Sequence, residues 1–144
     1  MKGCVSGACQ VQACGFTEFS GFGAAIEVHR AMGPGLLESI YEKCLMRELE
    51  LRGVAVSTQV PVSILYKGLS VQDSLKVDMF VDSCLVIELK AVEQVLPIHK
   101  AQVFSYMKLL DAPLGLLLNF HATVLKRGIH RMILPGADME NVSF

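Results

Sequence analysis

The chain has 144 residues, of which 52 % are apolar and 19 % charged. This excludes an intrinsically disordered protein and suits one domain that needs neither a disulfide framework nor a structural metal to fold. A net charge of −1 excludes a global basic field, although Lys100, Lys108, Lys126, Arg127 and Arg131 face a single acid, Asp111, between residues 99 and 131, which leaves room for a local basic face or ordinary surface scatter.

Residues 1–16 are small, aperiodic and cysteine-rich, and are expected to form a mobile arm before the folded domain. Cys4, Cys9 and Cys14 recur every five residues without a histidine or a C-x-x-C pair, which fits no zinc pattern. The odd total of five cysteines argues for reduced thiols in a cytoplasmic protein. The segment lacks the basic start and apolar core of a signal peptide. No apolar run approaches the roughly 20 residues of a membrane span, so no membrane contact is expected.

From Thr17 to Met32, Phe22, Ala25, Ile26, His29 and Met32 fall at helical spacing. Gly33-Pro34-Gly35 stops that helix. A second runs from about Leu36 to Leu51, with Leu37, Ile40, Tyr41, Cys44, Leu45, Glu48 and Leu49 on one face and Gly53 as its stop. Val54–Tyr66, Val71–Val81 and Leu85–Ala91 read as strands. Pro97 opens a helix to about Leu110, Pro113 ends it, and Leu114–Phe120 and Ile129–Leu134 are strands. The order is helix, helix, three strands, helix, strand, strand: one α/β domain over residues 17–135, with a polar tail at 136–144.

The second and third strands carry the chemistry. The three-residue turn Asp82-Ser83-Cys84 pairs Val81 with Leu85, Met79 with Ile87, Val77 with Leu89 and Leu75 with Ala91, making one face wholly apolar. The other face receives Phe80 opposite Val86, Asp78 opposite Glu88 and Lys76 opposite Lys90. A one-residue slip would mix core and polar positions. Two carboxylates opposed among apolar neighbours repel. A hard cation such as Mg²⁺ or Mn²⁺ would resolve that conflict, and Lys90, on the same face as Glu88, could orient a nucleophilic water. A salt bridge within the hairpin, Lys90 or Lys76 neutralising Glu88 or Asp78, would use the same residues without function.

Asp78, nine intervening residues, then Glu88-Leu89-Lys90 is similar to the D…(D/E)-x-K core of the PD-(D/E)xK nuclease superfamily. Gly35-Leu36-Leu37-Glu38-Ser39-Ile40-Tyr41 resembles the G-x-x-E-x-x-Y signature of a bacterial family within it, and Val28–Pro34 resembles that family's lead-in. Gln102-Val103-Phe104-Ser105-Tyr106 resembles the Q-x-x-x-Y motif of exonuclease branches. Gly115–Phe120 and Gly128–Arg131 resemble the closing segments. The likeness covers roughly residues 18–134. The position before Asp78 holds Val77 where the superfamily's name has proline.

The resemblance implies a restriction-endonuclease-like mixed β-sheet flanked by α-helices with an αβββαβ core. It implies catalytic roles for Glu38, Asp78, Glu88 and Lys90, supporting roles for Gln102 and Tyr106, and a metal held by Asp78, Glu88 and the Leu89 carbonyl. Lys126, Arg127 and Arg131 are candidates for phosphate contacts, or for solvating a strand end. Without the resemblance, Glu38 reads as a helix-dipole carboxylate, Tyr41 as a core residue and His29 as a satisfied core histidine. The expected function is metal-dependent hydrolysis of phosphodiester bonds in DNA or RNA. The alternatives are a silent nucleic-acid-binding module, or a protein-interaction subunit such as a homodimer, to which the apolar composition is suited.

Overall fold

A computed structural model describes residues 7–136, the side chains of 7–13, 73 and 74 excepted. Helices α1 (Gly7–Met32) and α2 (Glu38–Leu51) precede strands β1 (Val56–Tyr66), β2 (Leu69–Val81) and β3 (Leu85–Lys90). Helix α3 (Pro97–Leu110), strand β4 (Leu114–Asn119), a 3-10 turn at Leu125–Gly128 and strand β5 (Ile129–Ile133) complete the order. These strands form one sheet in the order β1-β2-β3-β4-β5. Strands β3 and β4 pair in parallel, and the other neighbours are antiparallel. Helix α3 makes the long crossover that a parallel pair requires.

The central strands β3 and β4 are buried on both faces. Tyr41, Leu45 and Leu49 of α2, with Ala24, Ala25 and Val28 of α1, pack on Leu85, Ile87, Leu89, Leu114, Leu116 and Leu118. On the other side Val103, Tyr106 and Met107 of α3 meet Val86, Leu117 and Met132. Two buried faces explain why β4 is an uninterrupted buried run rather than an alternating one.

Three expectations need correction. Helix α1 begins at Gly7, so the supposed mobile arm is helical from that residue onward, while residues 1–6 and the tail from 137 lie outside the described residues. Cys14 is fully buried and forms a disulfide with Cys84 in the β2–β3 turn, with a Cα–Cα separation of 5.7 Å. The cysteines are therefore not all reduced thiols; Cys44 is free. The buried stripe of α1 also differs from the expected one, since Ile26 and Met32 are exposed.

The β2–β3 turn has Asp82 and Ser83 in the left-handed region, a twist that suits a tight hairpin. From it the expected register runs Val81–Leu85, Phe80–Val86, Met79–Ile87, and there the paired ladder ends. Val77 packs on the α3 side while Leu89 packs on the α1/α2 side, so the wholly apolar face expected of this hairpin does not continue past Met79. In β1, Val56 belongs to the α1/α2 side but Val60 and Val62 to the α3 side; in β2, Met79 and Val81 belong to the first, Leu75 and Val77 to the second. Regular alternation would keep each set on one side. Both strands change sides at one rung, where Gln59 lies opposite Asp78 between the pairs Thr58–Met79 and Val60–Val77. Gln59 has a left-handed backbone, φ 50°.

Candidate functional site

Where the hairpin ladder ends, Asp78 takes over from the backbone. Its Oδ2 accepts the Leu89 N–H at 2.9 Å, a donor that points toward β2. Its Oδ1 accepts a longer bond, 3.4 Å, from the Gln59 amide. Asp78 and Glu88 are thus neighbours at the splayed edge of two strands, not a cross-strand ladder pair.

Glu88 shares the α3 side of β3 with Val86. It is only 5 % exposed, and its Oε2 is buried with no hydrogen-bond partner among the described residues. Its Oε1 lies 3.8 Å from Lys90 Nζ, so the hairpin salt bridge exists but engages only one of the two carboxylate oxygens. Burial first, then the Asp78 charge, push the Glu88 carboxyl up to about 8, with Lys90 opposing. Across the gap, Tyr106 of α3 is nearly buried and accepts a 2.9 Å bond from the Gln102 amide. Burial, then the charge of Glu88, raises its phenol. Gln102 and Tyr106 meet because they are one helical turn apart.

An open cleft of about 560 Å³ is lined by Glu38, Glu42, Gln59, Asp78 and Ala91 among others. Glu38 heads α2 and its Oε1 accepts the Ala91 N–H at 3.2 Å, one residue beyond Lys90. Tyr41 holds that helix start in place. Its hydroxyl donates to Gly33 O and accepts from Leu36 N–H, and its ring stacks on Phe120 at 4.4 Å. Gly33 and Gly35 both have positive φ, which lets the chain reverse around Pro34 between the helices. The G-x-x-E-x-x-Y residues therefore act as a unit: glycine turns the chain, tyrosine fastens the turn, and glutamate reaches the end of β3.

The structure brings together Asp78, Glu88 and Lys90, with Glu38 beyond the strand end; Tyr106 packs on the α3 side of the sheet with Val86. It does not bring Arg131 there: its guanidinium is bonded to both oxygens of Glu18, a fully buried carboxylate on α1. Burial outweighs that pairing and raises the Glu18 carboxyl. Lys126 and Arg127 are exposed on the 3-10 turn that follows β4.

Three site residues were missed. Glu42 lies one turn after Glu38, a spacing that could have flagged it; burial raises its carboxyl, with the Asp78 charge adding to the effect. Gln59 carried no sequence signal, since its reach depends on a left-handed residue within a strand. Asn119, buried and paired with Lys90 in the parallel register, holds Val92 through both backbone groups, at 3.1 and 2.8 Å. It clamps the chain just beyond Lys90.

A mixed sheet between helices, with a carboxylate pair and a lysine at the frayed end of a hairpin, defines a restriction-endonuclease-like α/β domain. The model of the PD-(D/E)XK nuclease superfamily matches residues 19–132, and the chain belongs to that superfamily. No curated protein and no solved structure matches it. Among the described residues no helix is long and apolar enough to cross a membrane.

Among the described residues no three His, Cys, Asp or Glu side chains form a cluster able to hold a metal ion, so these residues do not form a complete protein cage. The donors that are present, two carboxylates on neighbouring strands, one of them with a buried oxygen that has no partner among the described residues, fit a hard cation such as Mg²⁺, which keeps several waters and needs only one or two carboxylates.

Proposed function

We propose that the domain is a divalent-metal-dependent nuclease, of the G-x-x-E-x-x-Y type, that hydrolyses phosphodiester bonds in DNA or RNA. One observation carries the reading: Glu88 is buried beside Asp78 with an oxygen that has no partner among the described residues. A purely structural domain would gain by replacing such a group with an apolar one. Asp78 and Glu88 would hold Mg²⁺ or Mn²⁺, with the carbonyl of Leu89 as a further ligand. The ion, when bound, would polarise the phosphate and lower the pKa of water at the site.

The chain's own groups account for the rest. The N–H of Leu89 fixes the Asp78 carboxylate, so it enters the reaction already oriented. Lys90, held near Glu88, places a positive charge where negative charge grows on the phosphoryl oxygens and orients the attacking water. In the step itself a bond forms between the water oxygen and phosphorus while one P–O ester bond breaks, its electron pair leaving on the departing oxygen, which takes up a proton from solvent as the attacking water gives one up to solvent. Glu38 accepts the Ala91 N–H at the end of β3, and Gln102 and Tyr106, bonded to each other on α3, would serve as supporting groups. Lys126 and Arg127 are positioned on an exposed turn to meet backbone phosphates; Arg131, occupied by Glu18, is left out of that role.

The test is incubation of the purified protein with end-labelled single- and double-stranded DNA and RNA in Mg²⁺, Mn²⁺ or EDTA, beside Lys90→Ala. Cleavage that needs the metal and disappears in the variant is the expected result. Binding without cleavage by both proteins would favour a silent binding module instead.

A further inference from the structure

The rung at which β1 and β2 change sides also touches the cleft carboxylates. Gln59 carries a left-handed backbone, φ 50°, inside a strand, a conformation that costs any residue with a Cβ. Glycine would be the natural occupant unless the side chain were needed. The side chain does have partners, because its Nε2 donates to Glu42 Oε2 at 2.9 Å and to Asp78 Oδ1 at 3.4 Å. A primary amide has two N–H donors and can serve two acceptors at once. Here the acceptors are carboxylates on different elements, α2 and β2, that face one another across the cleft and repel.

We infer that Gln59 is a positioning residue for Asp78: its amide bridges Glu42 and Asp78 and holds the Asp78 carboxylate against the Leu89 N–H. The inference deepens the nuclease reading of the same site, but its structural content does not depend on metal or turnover. Without the amide, two like charges face each other directly. Asp78 is then free to swing away, and the Leu89 N–H loses its acceptor. Glu42 enters the site through this bridge as an outer carboxylate, tying the start of α2 to the strand that carries Asp78.

Amide hydrogen exchange by NMR on the metal-free full chain tests it, in Gln59→Gly and Gln59→Met. The first removes the amide and relieves the backbone; the second keeps the length and the backbone demand but has no donors. In both, exchange at Leu89 is expected to quicken by at least about tenfold, while Ile87, held in the ladder opposite Met79, stays unchanged. Unchanged exchange at Leu89 overturns the inference. Equal acceleration at Ile87 in both variants also overturns it, because Gln59 would then merely support the whole sheet. Turnover separates this inference from the nuclease reading. If the wild type cleaves nucleic acid, both variants are expected to lose kcat with KM little changed. A wild type that never cleaves, with Leu89 responding as described, refutes the nuclease reading and leaves the positioning role of Gln59 standing.

Discussion

Replacing Glu88 by Gln removes a charge while keeping the shape of the side chain, and the structure says what that does to stability. In metal-free protein, burial and the neighbouring Asp78 charge raise the Glu88 carboxyl from 4.5 to about 8. A carboxyl with a folded pKa above its unfolded value favours the folded state while it is protonated. That contribution is complete below about pH 4.5 and is lost progressively as pH rises through about 8. Each pH unit across the window is about 1.4 kcal/mol, so the full loss is on the order of 4–5 kcal/mol. The amide variant has no such loss. Urea unfolding in EDTA should therefore show wild type and Glu88→Gln close together near about pH 4.5, diverging up to about pH 8 and keeping a constant gap above it, with the variant the more stable. Glu18 is also raised by burial and tilts both curves in the same direction, so it cancels in the difference. Adding Mn²⁺ should flatten the wild-type curve and leave the variant's alone, because a cation stabilises the ionised carboxylate. Parallel curves for the two proteins in EDTA would refute the reasoning, since Glu88 would then ionise as easily folded as unfolded.

Asp78→Ala should behave oppositely to Glu88→Gln in stability. It deprives the Leu89 N–H of its acceptor, at a cost of about 1–2 kcal/mol, and should also abolish Mn²⁺ binding by calorimetric titration; a more stable, metal-binding variant would contradict both roles. Lys90→Ala should lower turnover by about 100-fold or more while Mn²⁺ affinity changes little, because an ammonium is not a ligand; a parallel collapse of metal affinity would make Lys90 a structural support. Reducing the Cys14–Cys84 bond, which closes a loop with a sequence separation of 70, should lower stability by about 4 kcal/mol, read as a fall in melting temperature on adding reductant; a Cys14→Ala/Cys84→Ala variant should melt at the reduced temperature in either buffer.

Local rules were enough for much of this fold. Pro97 and Pro113 bracket α3, found at Pro97–Leu110, because proline suits the first turn of a helix and cannot continue one. The hairpin register near its turn followed from period-two alternation, since a slip would have turned Ile87 and Met79 away from their core. The match of Asp78, Glu88 and Lys90 to a known spacing was legible for the same reason: residues two apart on a strand leave on one side, and the turn is short. What lay beyond reach depends on contacts between distant parts of the chain. Helix α1 extends back to Gly7, and at Cys14 it is joined to a residue 70 positions away; no local periodicity encodes such a contact. Arg131 looked available for phosphate until the fold placed Glu18 beside it. The reversal of faces at Gln59 and Asp78 needs a left-handed residue within a strand, a state that intrinsic preference disfavours and only the surrounding packing can hold. Sequence spacing could name the carboxylates and the lysine. The ladder between β2 and β3 stops at Met79 and Ile87, beyond which Val77 packs in the α3 layer and Leu89 in the α1/α2 layer, and that is a property of the tertiary structure.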